Sequence, residues 1–291
     1  MTERYFEKFP TISYNNSTVV DITKRTTLLD KVYNNPFVFY PYEISSYERA
    51  DQLSSRYYED PFQSWIIYFA NRITDPYYEW YLSETEFVNF VTKKYGSYES
   101  AINKIKYYRN DWVNREDISV SAFNALPAEN KKYWEPNLGA TNSIVSYKRS
   151  QKDWIANTNK IISYEVSDTD FIKDEICDIV FDSSNTGKGQ VVSVSNSAVY
   201  IQHVYGTYYT SNTVSIKAGS YVYGTESGTN TIFTSVSSVA SNIQDGEYIY
   251  WSPVTYYEYE SEKNEYNKTL RTLDKDYAQT ISDNLRDYMK V

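Results

Sequence analysis

The tightest constraint on the backbone lies between Tyr42 and Trp80, YEISSYERADQLSSRYYEDPFQSWIIYFANRITDPYYEW, where the starts of helices are written in capping residues. Ser45 with Glu48 three positions later is a capping box, so a first helix is expected to begin near Tyr47 and to place Ala50, Leu53 and Tyr57 on one inward face. Asp60-Pro61 marks a second start. Asp60 caps, Pro61 takes the first helical position, where its missing N–H costs nothing, and Gln63 reaches back. Phe62, Trp65, Ile66 and Phe69 then form an apolar stripe. Asp75-Pro76 closes the unit, and Tyr77, Tyr78 and Trp80 leave it as an aromatic cluster. So small a unit buries too little surface to be very stable alone and should lean on a neighbour.

Upstream, residues 1–40 read as an extended N-terminal arm in which Tyr5-Phe6, Phe9-Pro10, Val19-Val20, Ile22 and Leu28-Leu29 alternate with polar residues. Asn34-Asn35-Pro36 and Tyr40-Pro41 are turn or extended signals, because a residue before proline avoids the helical region. Such an arm either embraces a partner subunit or tucks onto its own domain. Residues 41–80 form the capped module, and residues 81–165 read as a helical body and connector. There Ser83 and Glu86 make another capping box, Phe87, Phe90, Val91 and Tyr95 continue a helical face, and Gly96 suits its C-terminal end. A further helix carries Ala101, Ile102 and Ile105; a short one stops before Pro127, followed by a Tyr133-Trp134 anchor.

From about Tyr164 the composition changes. Seven of the nine glycines fall within 166–250 while no Trp occurs between Trp154 and Trp251, and runs such as Ile176–Phe181, Gln190–Val194, Ala198–Val204, Thr213–Ile216 and Thr231–Val236 are separated by Ser, Asn and Gly. Residues 166–251 are therefore expected to be an inserted all-β module, a small barrel or sandwich, with Val192 and Val194 alternating against Ser193 and Ser195 to give one buried face. After Ser252-Pro253, apolar residues recur at helical intervals without proline or glycine, so residues 252–291 are expected to form a single amphipathic C-terminal helix roughly 50 Å long at 1.5 Å per residue. Its stripe of Tyr266, Leu270, Leu273, Tyr277, Ile281 and Leu285 asks for a partner helix or groove. With Tyr57, Tyr77, Tyr78 and Trp80, these are the candidate protein-interface residues.

Composition excludes several classes of partner. A net charge of −9 offers no cluster of Lys and Arg for a phosphate backbone, so no nucleic acid is expected. No apolar run is long enough to span a membrane, and the opening MTERYFEKFP lacks the apolar core of a signal peptide. The 33 Tyr supply rigid amphipathic area suited to protein contacts, or they fill ordinary half-buried strand positions. One cysteine, Cys177, excludes an internal disulfide and fits a reducing compartment or indifference to redox.

No catalytic constellation stands out, and no reaction, cofactor or metal is expected. The single His203 lies in an alternating segment and reads as a strand residue, and one His with one Cys cannot supply a four-ligand zinc site. Gly187-Lys188-Gly189 lacks phosphate-loop spacing and reads as a turn. Asp168, Asp170, Asp174 and Glu175 are crowded enough for calcium but lack the sixth-position glycine of an EF-hand loop, so they read as a charged loop.

The ordered residues Tyr42-Glu43-Ile44, Glu48-Arg49-x-Asp51-x-Leu53, Tyr58-x-Asp60-Pro61, Trp65 to Asn71, and Asp75-Pro76-Tyr77-x-x-Trp80 resemble the LysM-like module of the baseplate wedge protein fifty-three family of contractile-tailed, T-even-type bacteriophages. The phrase YWSPVTYYEYESEKNEYNKTL is similar to the C-terminal end of the same family. In two departures, the family often has Pro where Ala50 stands and Gly where Glu59 stands, both at helix edges. The resemblance implies an α+β structural protein with a LysM-like and helical body, an inserted β module and a long terminal helix. It further implies a non-enzymatic role in the virion: joining wedge subunits and neighbouring wedges into a ring around the hub, in several copies per baseplate, after assembly in the host cytoplasm. The alternative is a peptidoglycan-binding LysM-type module of a cell-wall-associated protein. Against it, Ser45-Ser46-Tyr47-Glu48 stands where glycan-binding LysM modules commonly carry Gly-Asp-Thr.

Overall fold

The structure, a computed structural model, describes residues 5–113, 116–150, 154–206 and 219–289. It mixes helix and sheet, as an α+β chain should, and its contacts divide it into two compact units. One comprises the residues up to Phe90 with those from Glu260 onward; the other is Val91–Tyr259.

In the first unit the strand Phe39–Glu43 is followed by the helices Ala50–Tyr58 and Ser64–Asn71. The strand Thr269–Leu273 then returns from the far end of the chain to pair antiparallel with the first, Thr269 opposite Glu43 and Leu273 opposite Phe39. Asp60 caps as expected, accepting from the Phe62 N–H at 2.9 Å, and Pro61–Gln63 form a single tight turn that feeds the helix at Ser64. Trp65 and Ile66 are buried; Phe62, expected in the same stripe, is exposed because it sits in that preceding turn. The first helix begins at Ala50 rather than near Tyr47, because Glu48 turns inward and the cap passes to Arg49, whose N–H donates to Gln52 Oε1 at 3.1 Å.

The single long terminal helix does not form. Ser252–Thr255 is a strand, Tyr256–Lys268 a helix, Thr269–Leu273 a strand and Lys275–Tyr288 a second helix. The three-residue spacing of Leu270 and Leu273 suits a helix, but the waiting edge of Phe39–Glu43 and the Asn71 side chain select a strand. Asn71 Oδ1 accepts from the Arg271 N–H at 2.8 Å and its Nδ2 donates to the Arg271 C=O at 2.9 Å. Asp274 starts the next helix by accepting from Asp276 N–H at 3.0 Å.

The N-terminal segment tucks onto its own unit. Tyr5 stacks on Trp65 with ring centres 4.9 Å apart, Phe9 is buried, and Lys8 Nζ donates to the Ser282 carbonyl at 2.5 Å and hydroxyl at 2.7 Å. Between these anchors and Phe39, a hairpin of Thr11–Tyr14 with Ser17–Val20 leaves all its strand residues exposed.

The second unit contains a closed six-stranded barrel whose neighbours, all antiparallel, run in the order Thr186–Val194, Ala198–Gly206, Lys160–Val166, Asn230–Ser241, Tyr221–Gly224, Ile176–Val180. The first barrel strand thus begins six residues before the expected boundary of the β module, at Lys160 instead of residue 166. The expected strand Thr213–Ile216 lies outside the described residues. Tyr164, Ile179, Val191, Val199, Ile201 and Phe233 fill the interior. Gly187-Lys188-Gly189 is strand, not turn: a Cβ on Gly189 would lie 2.2 Å from Ile201 Cγ2, so glycine lets two strands close over the core. The buried face runs through Val191 rather than Val192, because the register shifts between Val191 and Ser193 before Val194 rejoins the core.

Outside the barrel, the helix Glu84–Tyr95 starts at the Ser83–Glu86 capping pair (Ser83 N–H to Glu86 Oε2, 3.1 Å) and ends before Gly96 at φ 83°. The helix Tyr98–Asn103 stops short of Ile105, which opens the strand Ile105–Arg109. Tyr133, Trp134 and Tyr250 are buried beside Trp112, Trp154 and Trp251, so four of the six tryptophans gather in one aromatic nucleus.

Candidate interaction surface

The ten interface candidates separate into three environments. Leu270, Leu273 and Leu285 are core: Leu273 has 0% exposure and packs with Trp65, Ile66 and Leu285, and Leu270 lies with Leu53 and Ile67. They cannot form a docking stripe, because the break at Thr269–Leu273 turns them inward. Tyr57, Trp80 and Ile281 are half-buried against the same two clusters. Tyr77 and Tyr266 are 84% and 83% exposed, and Tyr78 and Tyr277 are also exposed, so these four are the candidates available to a partner.

The residues between Tyr42 and Trp80 meet at one node. The Glu48 carboxylate, buried, accepts from the Tyr42 hydroxyl at 2.8 Å and the Ser45 N–H at 3.0 Å and pairs with Arg56, while the Glu48 carbonyl accepts from Trp80 Nε1 at 2.8 Å. The Ser-x-x-Glu signal is thus used, but to tie strand, helix and Trp80 together rather than to begin a helix. Beside it, Glu43, Ile44, Ser45, Ser46, Tyr81 and Lys268 line a shallow depression of about 400 Å³, with Lys268 Nζ 2.7 Å from Glu43 Oε1. That pairing lowers the Glu43 pKa and raises that of Lys268. Glu79 folds back to accept from Thr74 and Asp75 N–H groups at 2.7 and 3.1 Å, which holds its carboxyl below the ordinary range.

Much of the tyrosine is spent inside the chain. Tyr95 lies 4.8 Å from Tyr256, Tyr98 5.4 Å from Tyr257 and Tyr107 6.2 Å from Tyr259, and Lys106 Nζ sits 4.2 Å from the Tyr259 ring centre. Apart from Tyr98, which is exposed, these tyrosines are half-buried, an ordinary use of the residue. The exposed apolar surface that sequence reasoning missed is the N-terminal hairpin, with Ile12, Tyr14, Val19 and Val20, joined by a turn in which Asn15 and Asn16 have φ of 48° and 61°. An Asn-Asn pair with positive φ at both positions is a two-residue hairpin turn, a signal present in the sequence.

Of the carboxylates crowded at 168–175, Asp168 Oδ1 accepts from the Asp170 N–H at 3.2 Å. Glu175 is buried, and its oxygens accept from the N–H groups of Ile172 (2.6 Å), Glu226 (3.1 Å) and Ser227 (2.9 Å) and from the Ser227 hydroxyl (2.9 Å). Among the described residues no group of three or more His, Cys, Asp and Glu side chains has metal-holding geometry. Cys177 is buried in the barrel, and burial pushes its thiol pKa up, away from reactivity. His203 is a strand residue whose carbonyl accepts from the Tyr108 hydroxyl at 3.1 Å. Among the described residues no helix is long and apolar enough to cross a membrane. Comparison with protein-family models, with curated proteins and with solved structures returns no match.

Proposed function

We propose that this chain is a structural component of a phage tail baseplate that joins wedge subunits and neighbouring wedges into a ring around the hub. The observation that carries the proposal is how the departures from the family pattern fall. Ala50 is the first residue of its helix, where proline is favoured, and Glu59 ends that helix at φ 64°, where glycine is favoured. The family's usual residues thus suit the backbone of this chain at both points. The Glu48 node and the Asn71 clamp also use motif residues together, which supports a LysM-like unit completed by the returning strand Thr269–Leu273. Partner contact falls to Tyr77, Tyr78, Tyr266 and Tyr277, not to the buried leucines.

A peptidoglycan-binding role is the second reading, favoured by the depression at Ser45-Ser46, which lies on the loop a glycan-binding LysM module would use. The experiment that separates the two is immunoblotting of purified phage tails alongside sedimentation of the full chain with cell wall. Presence in the baseplate fraction with no cell-wall retention supports the wedge reading. Absence from tails with strong retention on cell wall overturns it.

A further inference from the structure

The N-terminal segment is fastened to the first unit by side chains. Among the described residues its two strands pair only with each other, and its other turns close locally, with Phe9 N–H on Phe6 C=O at 3.3 Å and Asp21 N–H on Pro10 C=O at 2.8 Å. The hairpin strands are exposed throughout, and residues 21–29 form neither helix nor strand before the chain rejoins the unit. Anchoring therefore falls to residues 5–10. Tyr5 stacks on Trp65, the Phe9 ring centre lies 4.9 Å from that of Tyr5, and the buried Lys8 reaches the Ser282 carbonyl and hydroxyl.

What these residues cover does not need them to hold its shape. Trp65 and Phe69 come from the helix Ser64–Asn71, Ile281 and Leu285 from the helix Lys275–Tyr288, and Leu273 joins the two helices from within. Asn71 fastens Arg271, and the Tyr58 hydroxyl donates to the Leu273 carbonyl at 2.9 Å, so the walls are tied to each other independently of the arm. Lys8 works against closure as well as for it. Both of its acceptors are neutral oxygens, so docking the arm takes an ammonium out of water without an ion pair among the described residues.

We propose that residues 5–10 are a releasable strap over a receptor groove, and that a partner's short segment carrying two aromatic rings and a lysine takes their place when they leave. The strap itself shows the chemistry the groove accepts: one ring on Trp65, a second against the first, and an ammonium on Ser282. Release breaks side-chain contacts only and leaves the hairpin ladder whole, so the segment can depart as a unit. A flexible tether holds the strap near the groove at roughly millimolar effective concentration, so a rival segment binding at about 100 μM is held off about tenfold. The strap thus excludes weak competitors and yields to a partner that binds more tightly. The inference goes beyond the baseplate reading and does not rest on it.

The test uses a fluorescently labelled peptide with the sequence of residues 1–10, MTERYFEKFP, as the rival segment, and fluorescence anisotropy as the readout. It is titrated with the full-length wild type, with a full-length chain carrying Tyr5→Ala and Phe9→Ala, and with a full-length chain carrying Lys8→Ala. The two variants loosen their own strap and leave the groove residues untouched; the second keeps both rings, so it serves if the first loses helix by circular dichroism. The expected result is saturable binding to the loosened chains, about tenfold weaker binding to the wild type, and a loss of roughly tenfold or more when the peptide itself carries Lys8→Ala. Overturning results are two: neither variant binds the peptide more tightly than the wild type, or binding is indifferent to the lysine of the peptide.

Discussion

Glu59 ends the helix Ala50–Tyr58 in left-handed backbone, at φ 64° and ψ 13°. An L side chain there costs on the order of 1–2 kcal/mol, because its Cβ crowds the following carbonyl oxygen, and glycine is free of that cost. Two effects oppose the gain from Glu59→Gly. Glycine raises the entropy of the unfolded chain, worth about 0.4–1 kcal/mol. The substitution also removes the contact with Lys275 Nζ at 3.3 Å, an exposed pair worth roughly 0–0.5 kcal/mol. The useful control is Glu59→Ala, which removes the same ion pair but keeps the left-handed cost. The glycine variant should therefore exceed the alanine variant by roughly 0.5–1 kcal/mol, equivalent to about 2–6 °C in Tm for a unit of this size. Differential scanning calorimetry of both variants and the wild type measures this directly. An alanine variant that melts at or above the glycine variant would refute the backbone reasoning and with it the main support for the family resemblance.

Glu175→Gln places an amide NH₂ against N–H donors that now meet carboxylate oxygens, and the loss of two charge-assisted hydrogen bonds should cost roughly 3 kcal/mol, read as a lower Tm; an unchanged Tm would show that Glu175 is not the clamp between its two loops. Leu273→Asp should unfold the first unit, since it buries an unpaired carboxylate, whereas Tyr77→Ser with Tyr78→Ser should leave circular dichroism unchanged and weaken only partner binding. Tyr164→Phe removes a buried hydroxyl that has no partner and should be neutral or stabilising by about 1 kcal/mol in chemical denaturation. The Glu79 pKa is lowered by backbone N–H groups, so its contribution is complete above the ordinary carboxylate pKa near 4.3 and is lost as pH falls through the folded value. The Tm difference between wild type and Glu79→Gln should accordingly be largest near neutrality and shrink below about pH 4; a difference constant with pH would contradict this.

Local chemistry determined several features outright. Asp60-Pro61, Ser83 with Glu86, and Gly96 mark helix ends because the capping groups lie within three residues of what they cap, and the structure places ends there. The β module was legible in its glycine, serine and β-branched composition, and the hairpin was legible, though missed, in Asn15-Asn16. Tertiary structure decided the rest. Ser45 and Glu48 satisfy the capping pattern, yet the partners Tyr42, Arg56 and Trp80 draw the Glu48 carboxylate and carbonyl into a node, so the helix starts later. The segment Thr269–Leu273 has helical spacing and becomes a strand because Phe39–Glu43 and Asn71, some 200 residues away in sequence, offer its backbone hydrogen-bond partners on both sides. That choice also moved Leu270 and Leu273 from a supposed docking stripe into the core. Spacing reports which residues can share a face, but the partner that face meets is set by contacts that close only when distant parts of the chain come together.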